Sequence, residues 1–325
     1  MAGIWALSDG AAGNRRQALA LAQALALTLA DSPVREWTVP ARAPWRWLAP
    51  RRLPGSDRAF GEDFAQALGQ PPLLAVGCGR QAALATRVLR ARGSRVVQIL
   101  DPRIAPAHWD ALVVPRHDRV RGANVITTLG SLNAIDDRWL ADGAVAFPAL
   151  AADSAPRTVL LLGGPIAGVP LDADWWAHLA DTLDAWLTRD GGTLWVSGSR
   201  RTPAWLADAV RARYAPRGAR LWFGDCDGEN PYAAFLAGAD RIIASPDSIN
   251  LISEACATGV PVSIALGPSG EASTAVAARR HRQFIAALLE TGRARPLQGQ
   301  PSDWPVRPLR ELPDVVAKLA RLLGL

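Results

Sequence analysis

Short hydrophobic runs alternate with helical segments along the whole chain. In the first half the runs are GIWALS, VREWTV, LLAVG, RVVQIL, ALVV and NVITT. In the second half they are TVLLLGG, TLWVSGS, ARLWFG, RIIAS and VPVSIAL, and the helical segments lie around Trp176, Leu206, Ala234, Ile252 and Ile285. Apolar strands that alternate with helices are typical of parallel sheets covered on both faces. The pattern therefore predicts an α/β chain with parallel strands in both halves.

The two halves share this architecture, which predicts two Rossmann-like parallel-sheet domains facing a cleft. A chain of 325 residues is also long for a single core. The junction is expected in FPALAADSAPR, around residues 147–157, where Pro, Ala and Ser interrupt the periodic pattern. We therefore expect domains at 1–150 and 151–305. The remaining residues, 306–325, include the amphipathic helix LPDVVAKLARLLGL, which either packs back on the first domain or touches a membrane.

Composition narrows the classes of partner. The net charge is +6, and Lys318 is the only lysine among 36 basic residues. Arginine suits phosphate binding, but the charges do not form the basic tracts that nucleic-acid-binding proteins show, so no nucleic acid partner is expected. The three cysteines form no close pair, which favours a reducing cytoplasm. No apolar run reaches the roughly 20 residues of a membrane span, so only a peripheral contact with the inner membrane face stays open.

The loops that leave the strands are the first place to look for a site, because ligands of parallel α/β sheets bind beyond the carboxyl ends of the strands. The loop SDGAAGNRRQ follows the first strand and places Asp9, Gly10, Gly13 and Asn14 at the start of a helix. Glycine permits a ligand to approach the backbone amides there. The pattern is not a full G-x-G-x-x-G motif, and an ordinary turn with a helix cap is an equal alternative.

Candidates for a general base also lie in the first half. His117 and Asp118 follow the strand ALVV, and a histidine titrates near neutral pH and can be oriented by a carboxylate. Asp9 is the other candidate base. An exposed histidine without a catalytic role is the alternative. No cluster has metal-ligand spacing, so neither a metal ion nor a permanently bound cofactor is expected.

In the second half, two loops combine glycine with anion-binding side chains. Gly163 and Gly164 follow TVLLL directly in the turn GGPIAGVPLD, although a plain turn is the alternative. The loop in WVSGSRRTP ends a strand with hydroxyls and guanidinium groups, which suit a phosphate, or else form a helix cap. The candidate anion-binding residues of these and the next loop are Ser197, Ser199, Arg200 and Asn230, of which Asn230 is also explained by helix capping alone.

The stretch SPDSINLISEACATGVPV, which follows the strand RIIAS, carries the most specific candidates. Ser245 begins it, and Asp247 or Ser248 can cap a helix whose first amides would face an anion. Asn250 and Glu254 are four residues apart and share a helix face. A carboxylate there can accept both hydroxyl hydrogens of a ribose, which indicates a nucleotide. A purely structural helix is the alternative.

At the level of families, this stretch and the upstream ENPYAAFLAGADRII resemble the second domain of GT-B glycosyltransferases. Together with PRHDRVRGANVITTLGSLN, LLLGGP and SGSRRTP they resemble the "elongated mitochondria" fission-factor family and its bacterial relatives. The GT-B resemblance implies that the first domain takes the acceptor, although Asn14 stands where some of these enzymes have a histidine. It also implies that Gly163 and Gly164 approach a donor diphosphate, that Ser248 and Asn250 line the phosphate or sugar, that Glu254 holds the ribose, and that Phe223 and Gly224 meet the base.

The leading hypothesis is therefore a metal-independent glycosyltransferase. It would use a nucleoside diphosphate sugar as co-substrate and transfer the sugar to an unknown acceptor related to the cell envelope. Two alternatives stay open: a non-enzymatic adaptor of the fission-factor type and a nucleotide-sugar epimerase on the same fold. The sequence does not indicate the donor sugar, its base, the acceptor, the stereochemical outcome or the oligomeric state.

Overall fold

Two six-stranded parallel sheets organise the computed structural model, which describes residues 3–267, 278–299 and 304–325. The chain divides into a first unit, Met1–Ala134 with Glu311–Leu325, and a second unit, Ile135–Arg310. Each unit contains one of the sheets, and every ladder between the described strands is parallel. The α/β architecture of two Rossmann-like domains predicted from the hydrophobic pattern is thereby confirmed.

The sheet of the first unit has the strand order β2-β1-β3-β4-β5-β6. All six strands predicted in the first half are present. The strands are β1 Ile4–Ser8, β2 Val34–Thr38, β3 Leu74–Cys78, β4 Arg95–Ile99, β5 Ala111–Pro115 and β6 Val125–Thr128. The helices of this unit are α1 Ala12–Thr28, α2 Trp45–Leu48, α3 Glu62–Ala67, α4 Arg80–Arg90 and α11 Leu312–Leu323.

The sheet of the second unit has the strand order β12-β11-β10-β7-β8-β9. Helix α5 and the short strand β12 were not predicted from the sequence. The strands are β7 Arg157–Leu161, β8 Thr193–Ser197, β9 Arg220–Trp222, β10 Arg241–Ala244, β11 Val262–Ile264 and β12 Arg295–Pro296. The helices are α5 Asp137–Ala146, α6 Ala173–Asp190, α7 Ala204–Tyr214, α8 Tyr232–Gly238, α9 Ile249–Ala257 and α10 Arg279–Glu290.

The boundary between the units lies earlier in the chain than residues 147–157. The expected junction is instead part of the second unit. Asp153 in this segment accepts hydrogen bonds from the Trp195 indole at 2.8 Å and from the Arg220 guanidinium at 2.7 and 3.0 Å. Both partners lie in strands of the second sheet, so these bonds fix the segment to that sheet although its Pro and Ala content is typical of a linker.

The C-terminal helix belongs to the first unit. The Glu311 carboxylate, just before α11, accepts the backbone N–H groups of Leu129 at 2.8 Å and Gly130 at 2.9 Å. The apolar face of α11 is buried in the first core, where Val315 and Leu319 join the buried residues of α1. The first unit is therefore assembled from two separate parts of the chain. Within the described residues, no helix is long and apolar enough to cross a membrane.

Candidate functional site

The carboxyl edge of the second sheet, by which we mean loops 162–165, 198–202 and 245–248, holds seven of the predicted site residues: Gly163, Gly164, Ser199, Arg200, Ser245, Asp247 and Ser248. Strands β10, β7 and β8 are neighbours in the sheet and run parallel, so their carboxyl ends lie side by side. Loops that were distant in sequence are thus brought within hydrogen-bonding distance of one another. This position is the usual ligand-binding edge of a parallel α/β sheet.

A buried carboxylate stands at the centre of this edge. Asp247 is only 2% exposed, and its Oδ2 accepts the backbone N–H of Gly164 at 2.9 Å. Its Oδ1 accepts the hydroxyl of Ser245 at 2.6 Å, and the oxygen of Ser245 accepts the N–H of Gly163 at 2.9 Å. The amides expected to meet a diphosphate are therefore bonded to the chain's own side chains.

The same network explains why the loop after β7 contains glycine. A Cβ atom on Gly163 would lie 2.0 Å from Oδ2 of Asp247, and one on Gly164 would lie 2.0 Å from the carbonyl oxygen of Arg201. Neither distance is sterically possible. A side chain at Gly163 would therefore displace Asp247 before it could obstruct a ligand.

An arginine reaches into this network from the loop after β8. The Arg201 guanidinium donates to Oδ2 of Asp247 at 3.0 Å and to the carbonyl oxygen of Gly164 at 3.1 Å, while half of its side chain stays exposed. The sequence predicted the neighbouring Arg200 as the phosphate-binding residue. Arg200 is exposed and makes no hydrogen bond or ion pair with any residue that the structure describes. The guanidinium held at the edge is therefore that of Arg201.

The two predicted serines of the β8 loop have different surroundings. Ser197 is buried at the end of β8, and its carbonyl oxygen accepts the N–H of Leu162 at 2.9 Å. Ser199 donates its N–H to Thr202 Oγ1 at 2.8 Å and accepts the N–H of Arg201 at 3.2 Å. Both serines thus hold the backbone of the edge together, whatever else they bind.

The residues predicted to meet the base and to open α8 also make internal contacts. The ring of Phe223 lies against Gly198, where a Cβ atom would come within 2.4 Å of it, and Gly224 follows in the same half-buried turn. The side-chain oxygen of Asn230 accepts the N–H of Tyr232 at 3.0 Å. This bond at the start of α8 is the capping role that the sequence offered as the simpler explanation.

Helix α9 carries a buried acid. Ser248 caps the helix through a long hydrogen bond from the Leu251 N–H, at 3.4 Å. Asn250 lies half-buried on the first turn, one turn before Glu254. The Glu254 carboxylate is only 5% exposed, and its Oε2 accepts the hydroxyl hydrogen of Tyr232 at 2.5 Å. The sequence singled out Glu254 but gave no indication of Tyr232 as its partner.

A histidine also lies beside the Asp247 network. Burial lowers the pKa of His281, on the first turn of α10, below its usual value, and this effect outweighs the opposing contact with the backbone of Asp247. The positive charge of Arg201 lowers the pKa of His281 further. The neutral imidazole is therefore favoured at this edge. The sequence gives no signal for His281, because only the fold brings it close to the loop after β10.

The carboxyl edge of the first sheet presents a second candidate site. Oδ1 of Asp9 accepts hydrogen bonds from the Asn14 side chain at 2.9 Å and from the Ala11 N–H at 3.2 Å. The Cys78 thiol, at the end of the neighbouring β3, donates to the side-chain oxygen of Asn14 at 3.5 Å. Burial, and secondly the Asp9 charge, raise the pKa of Cys78 well above its usual value. The thiol stays protonated, and Asn14 holds the carboxylate in one orientation.

The glycines of this loop differ from each other. Gly10 has a φ of +88°, in the left-handed region that favours glycine, and a Cβ atom there would meet only a methyl group of Thr38 at 3.3 Å. Gly13 lies inside the first turn of α1. Only Gly10 is thus needed for the conformation of the turn.

The candidate bases of the first unit are not brought together. His117 and Asp118 follow β5, and two strands, β3 and β4, separate β5 from β1, at whose end Asp9 lies. Three inter-strand spacings place the two loops roughly 14 Å apart. Asp118 is buried, and its carbonyl oxygen accepts a hydrogen bond from Arg121 at 2.6 Å. Asp9 and His117 are therefore alternatives and not partners.

Metal binding was not expected from the sequence. Among residues 3–267, 278–299 and 304–325, no group of three or more His, Cys, Asp or Glu side chains could hold a metal ion. What the two edges offer instead is oriented carboxylates and one fixed guanidinium. Such groups can bind an anion and accept a proton.

The chain is similar in sequence to one described family and to proteins of two organisms. Residues 12–323 match the family described as "Mitochondrial fission ELM1". A protein of Arabidopsis thaliana named "Mitochondrial fission protein ELM1" is 27% identical over 283 residues, which cover 78% of this chain and 64% of that protein. A protein of Rickettsia prowazekii described as "Uncharacterized protein RP120" is 24% identical, with 90% of this chain and 89% of that protein covered.

Solved structures show the same fold at low sequence identity. MurG of Acinetobacter baumannii superposes with a TM-score of 0.51 at 17% identity, covering 99% of this chain and 90% of MurG. The UDP-GlcNAc 2-epimerase of Methanocaldococcus jannaschii gives a TM-score of 0.55 at 12% identity, with 99% of both chains covered. The fold is thus that of GT-B glycosyltransferases and related epimerases.

Proposed function

This chain belongs to the mitochondrial fission ELM1 family, and from that premise we propose that it binds a nucleoside diphosphate sugar at the carboxyl edge of its second sheet and transfers the sugar. The observation that carries the proposal is the buried Glu254 carboxylate on α9, the helix that follows this edge. Tyr232 donates a hydrogen bond to its Oε2. A carboxylate on a helix at this edge can also accept the hydroxyl hydrogens of a ribose, and we assign that role to Glu254.

Arg201 is the group that we assign to the diphosphate. Its guanidinium is oriented by Asp247 and the carbonyl oxygen of Gly164, while half of the side chain faces solvent. A guanidinium fixed before the ligand arrives loses little side-chain entropy on binding. It would stabilise the negative charge that develops on the leaving diphosphate, which is the main contribution expected in such a transfer.

Asp9 is the base that we assign to the acceptor. Its Oδ1 is held by Asn14 and the Ala11 N–H, and no residue in the described part of the chain donates a hydrogen bond to its Oδ2. That oxygen can accept the proton of an acceptor hydroxyl as the hydroxyl attacks the anomeric carbon. The anomeric carbon then loses the diphosphate, which leaves with the bonding electrons.

One observation favours a second candidate, the non-enzymatic adaptor. The amides of Gly163 and Gly164, which the GT-B resemblance assigns to a donor diphosphate, are bonded to Ser245 and Asp247. If these hydrogen bonds never break, the two amides cannot bind a diphosphate, and the fold then acts as an adaptor and not as an enzyme. The epimerase alternative differs from the transferase in its product and not in its fold.

The deciding experiment is calorimetric titration of the intact chain with UDP, ADP, GDP and CDP and with UDP-GlcNAc, followed by product analysis. We expect one nucleotide to bind, and Glu254→Gln to weaken its binding by about 1.5–3 kcal/mol because the ribose loses a charged acceptor. The matched variant Tyr232→Phe removes the hydrogen bond from the Tyr232 hydroxyl to Glu254 and leaves the carboxylate in place.

The outcomes separate the candidates. If Glu254 is structural, Glu254→Gln lowers the melting temperature and leaves the nucleotide affinity unchanged. If no nucleotide binds, the adaptor becomes the better proposal. A product that keeps the nucleotide but has an inverted sugar carbon would identify an epimerase.

A further inference from the structure

An exposed apolar surface lies on the first unit, far along the chain from every residue of the second sheet's edge. The segment 42–58, which we call the arginine–tryptophan segment, contains α2 and the turns on either side of it. Trp47 is 65% exposed, Leu48 41% and Leu53 38%. Three large apolar side chains within seven residues are unusual on a surface that only meets water.

The exposure of these side chains is built into the fold. The Arg80 guanidinium donates to the carbonyl oxygen of Arg46 at 2.9 Å, and that of Arg87 donates to the carbonyl oxygen of Pro50 at 2.7 Å. Ala49 is buried in a small core with Ala59 and Leu84. The backbone is thus tied to α4 on both sides of Trp47, and its apolar side chains are held outward.

The charge of the segment is strongly positive. Its only acidic residue, Asp57, is already paired with the Arg92 guanidinium at 2.5 Å. Burial lowers the pKa of Arg87, and the nearby positive charge of Arg52 lowers it further. Five exposed arginines surround the apolar side chains: Arg42, Arg46, Arg51, Arg52 and Arg58.

The C-terminal helix, the segment that the sequence offered for a membrane contact, is not available for one. Its apolar residues Val315, Val316 and Leu319 are buried in the core of the first unit. Of the large apolar residues on this helix, Leu322 is exposed, at 43%. The arginine–tryptophan segment, by contrast, combines three exposed large apolar side chains with exposed arginines.

We infer that the arginine–tryptophan segment is a docking surface for a lipid bilayer with anionic headgroups. Trp47, Leu48 and Leu53 enter the boundary between headgroups and acyl chains, where indole rings are favoured. The arginines bind the lipid phosphates and the excess negative charge. Charge complementarity selects the occupant, because a neutral apolar partner would leave the surrounding arginines without counter-ions.

The test is co-sedimentation of the full chain with extruded vesicles of phosphatidylcholine alone and of phosphatidylcholine with phosphatidylglycerol. We expect binding only to the anionic vesicles, weakened by salt. Arg51→Gln with Arg52→Gln should lower the partition coefficient about thirtyfold. Trp47→Ala with Leu53→Ala should lower it at least about tenfold, because less apolar surface is buried.

Matched controls make the result specific. Arg138→Gln with Arg307→Gln removes the same charge from exposed positions elsewhere, and Leu27→Ala with Trp205→Ala removes another exposed leucine and tryptophan. Both controls should bind like the unaltered chain, and circular dichroism should show that all four variants fold. Equal losses in controls and test variants would overturn the proposal, as would failure of the unaltered chain to bind anionic vesicles. Self-association through Trp47, seen by mass measurement and abolished in Trp47→Ala, would replace the bilayer with a second copy.

Discussion

At the carboxyl edge of the first sheet, the Asp9 carboxylate is half-buried, and only one of its oxygens accepts hydrogen bonds from the described residues. At the carboxyl edge of the second sheet, the Asp247 carboxylate is buried, and both of its oxygens are bonded. The two edges occupy equivalent places in similar sheets. The first leaves one carboxylate oxygen without a hydrogen bond from the described residues, whereas the second uses a carboxylate to fix its own loops.

The exposure and the hydrogen bonds of each carboxylate indicate its role. A half-exposed carboxylate with one unbonded oxygen can take part in proton transfer, and its removal should affect chemistry more than stability. A buried carboxylate that satisfies several donors is structural, and its removal leaves those donors without acceptors. An acidic side chain at the edge of a sheet can therefore have a chemical role or a structural role, depending on which of its oxygens are bonded.

The largest effect is expected from Asp9→Asn. This change keeps the shape of the side chain and removes its basicity, so turnover of the nucleotide sugar should fall about 100-fold or more with nucleotide affinity unchanged. The measurement is release of nucleoside diphosphate, compared with calorimetric titration of the same nucleotide. His117→Gln should have the smaller effect on turnover. The reverse ranking would move the base to the loop after β5.

A smaller effect, on stability, is expected from Asp247→Ala. The variant leaves the Gly164 N–H, the Ser245 hydroxyl and the Arg201 guanidinium without their acceptor, which should lower the free energy of unfolding by about 3 kcal/mol. Asp9→Ala should cost about 1 kcal/mol, because water can reach the groups that it releases.

Urea denaturation monitored by circular dichroism measures both variants, and Asp142→Ala, at an exposed position, serves as the control. Equal losses of unfolding free energy for Asp9→Ala and Asp247→Ala would mean that the two carboxylates are equally important for stability.

The smallest effect is expected from pH. Because the folded-state pKa of His281 lies below its usual value, the unfolded chain binds the proton more tightly. Neutral His281 therefore contributes fully to the free energy of unfolding above the ordinary histidine pKa. This contribution is lost as the pH falls through that pKa towards the lower pKa of the folded state, between about pH 8 and pH 5. Thermal melts across this range should show a steeper loss for the unaltered chain than for His281→Gln.

The control variant His178→Gln removes a histidine from an exposed position on α6. The Cys78 thiol at the first edge should add nothing in this range, because its raised pKa keeps it protonated. Identical slopes in His281→Gln and the unaltered chain would show that the second edge does not favour the neutral imidazole.

Much of the fold could be predicted because the strand signal is local. Runs such as LLAVG and RIIAS are apolar throughout since both faces of the sheet are covered, and the structure places β3 and β10 there. The boundary between the units could not be predicted, because it depends on contacts between distant residues. Asp153 joins the second sheet through Arg220 and Trp195, and nothing near it in sequence indicates those partners.

The proximity of the candidate loops could be predicted, but the contacts of their side chains could not. Parallel strands guarantee that the loops with Gly163 and Ser245 lie near each other, so their proximity followed from the pattern. The direction of each side chain did not follow. Arg200 and Arg201 are neighbours on one turn, yet only Arg201 contacts Asp247, and Asp247 turns toward the glycine amides although it could equally have capped α9.

The return of α11 to the first unit has a consequence for the order of folding during synthesis. The second unit is complete once Arg310 has left the ribosome, whereas the first core still lacks Val315, Leu319 and Leu323. The Leu129 and Gly130 amides also wait for the Glu311 carboxylate, and the Arg95 guanidinium waits for the carbonyl oxygen of Leu323. The part of the chain that is made first is thus the last to reach its final packing, and a chain that stops at residue 310 would contain a finished second unit beside an incomplete first one.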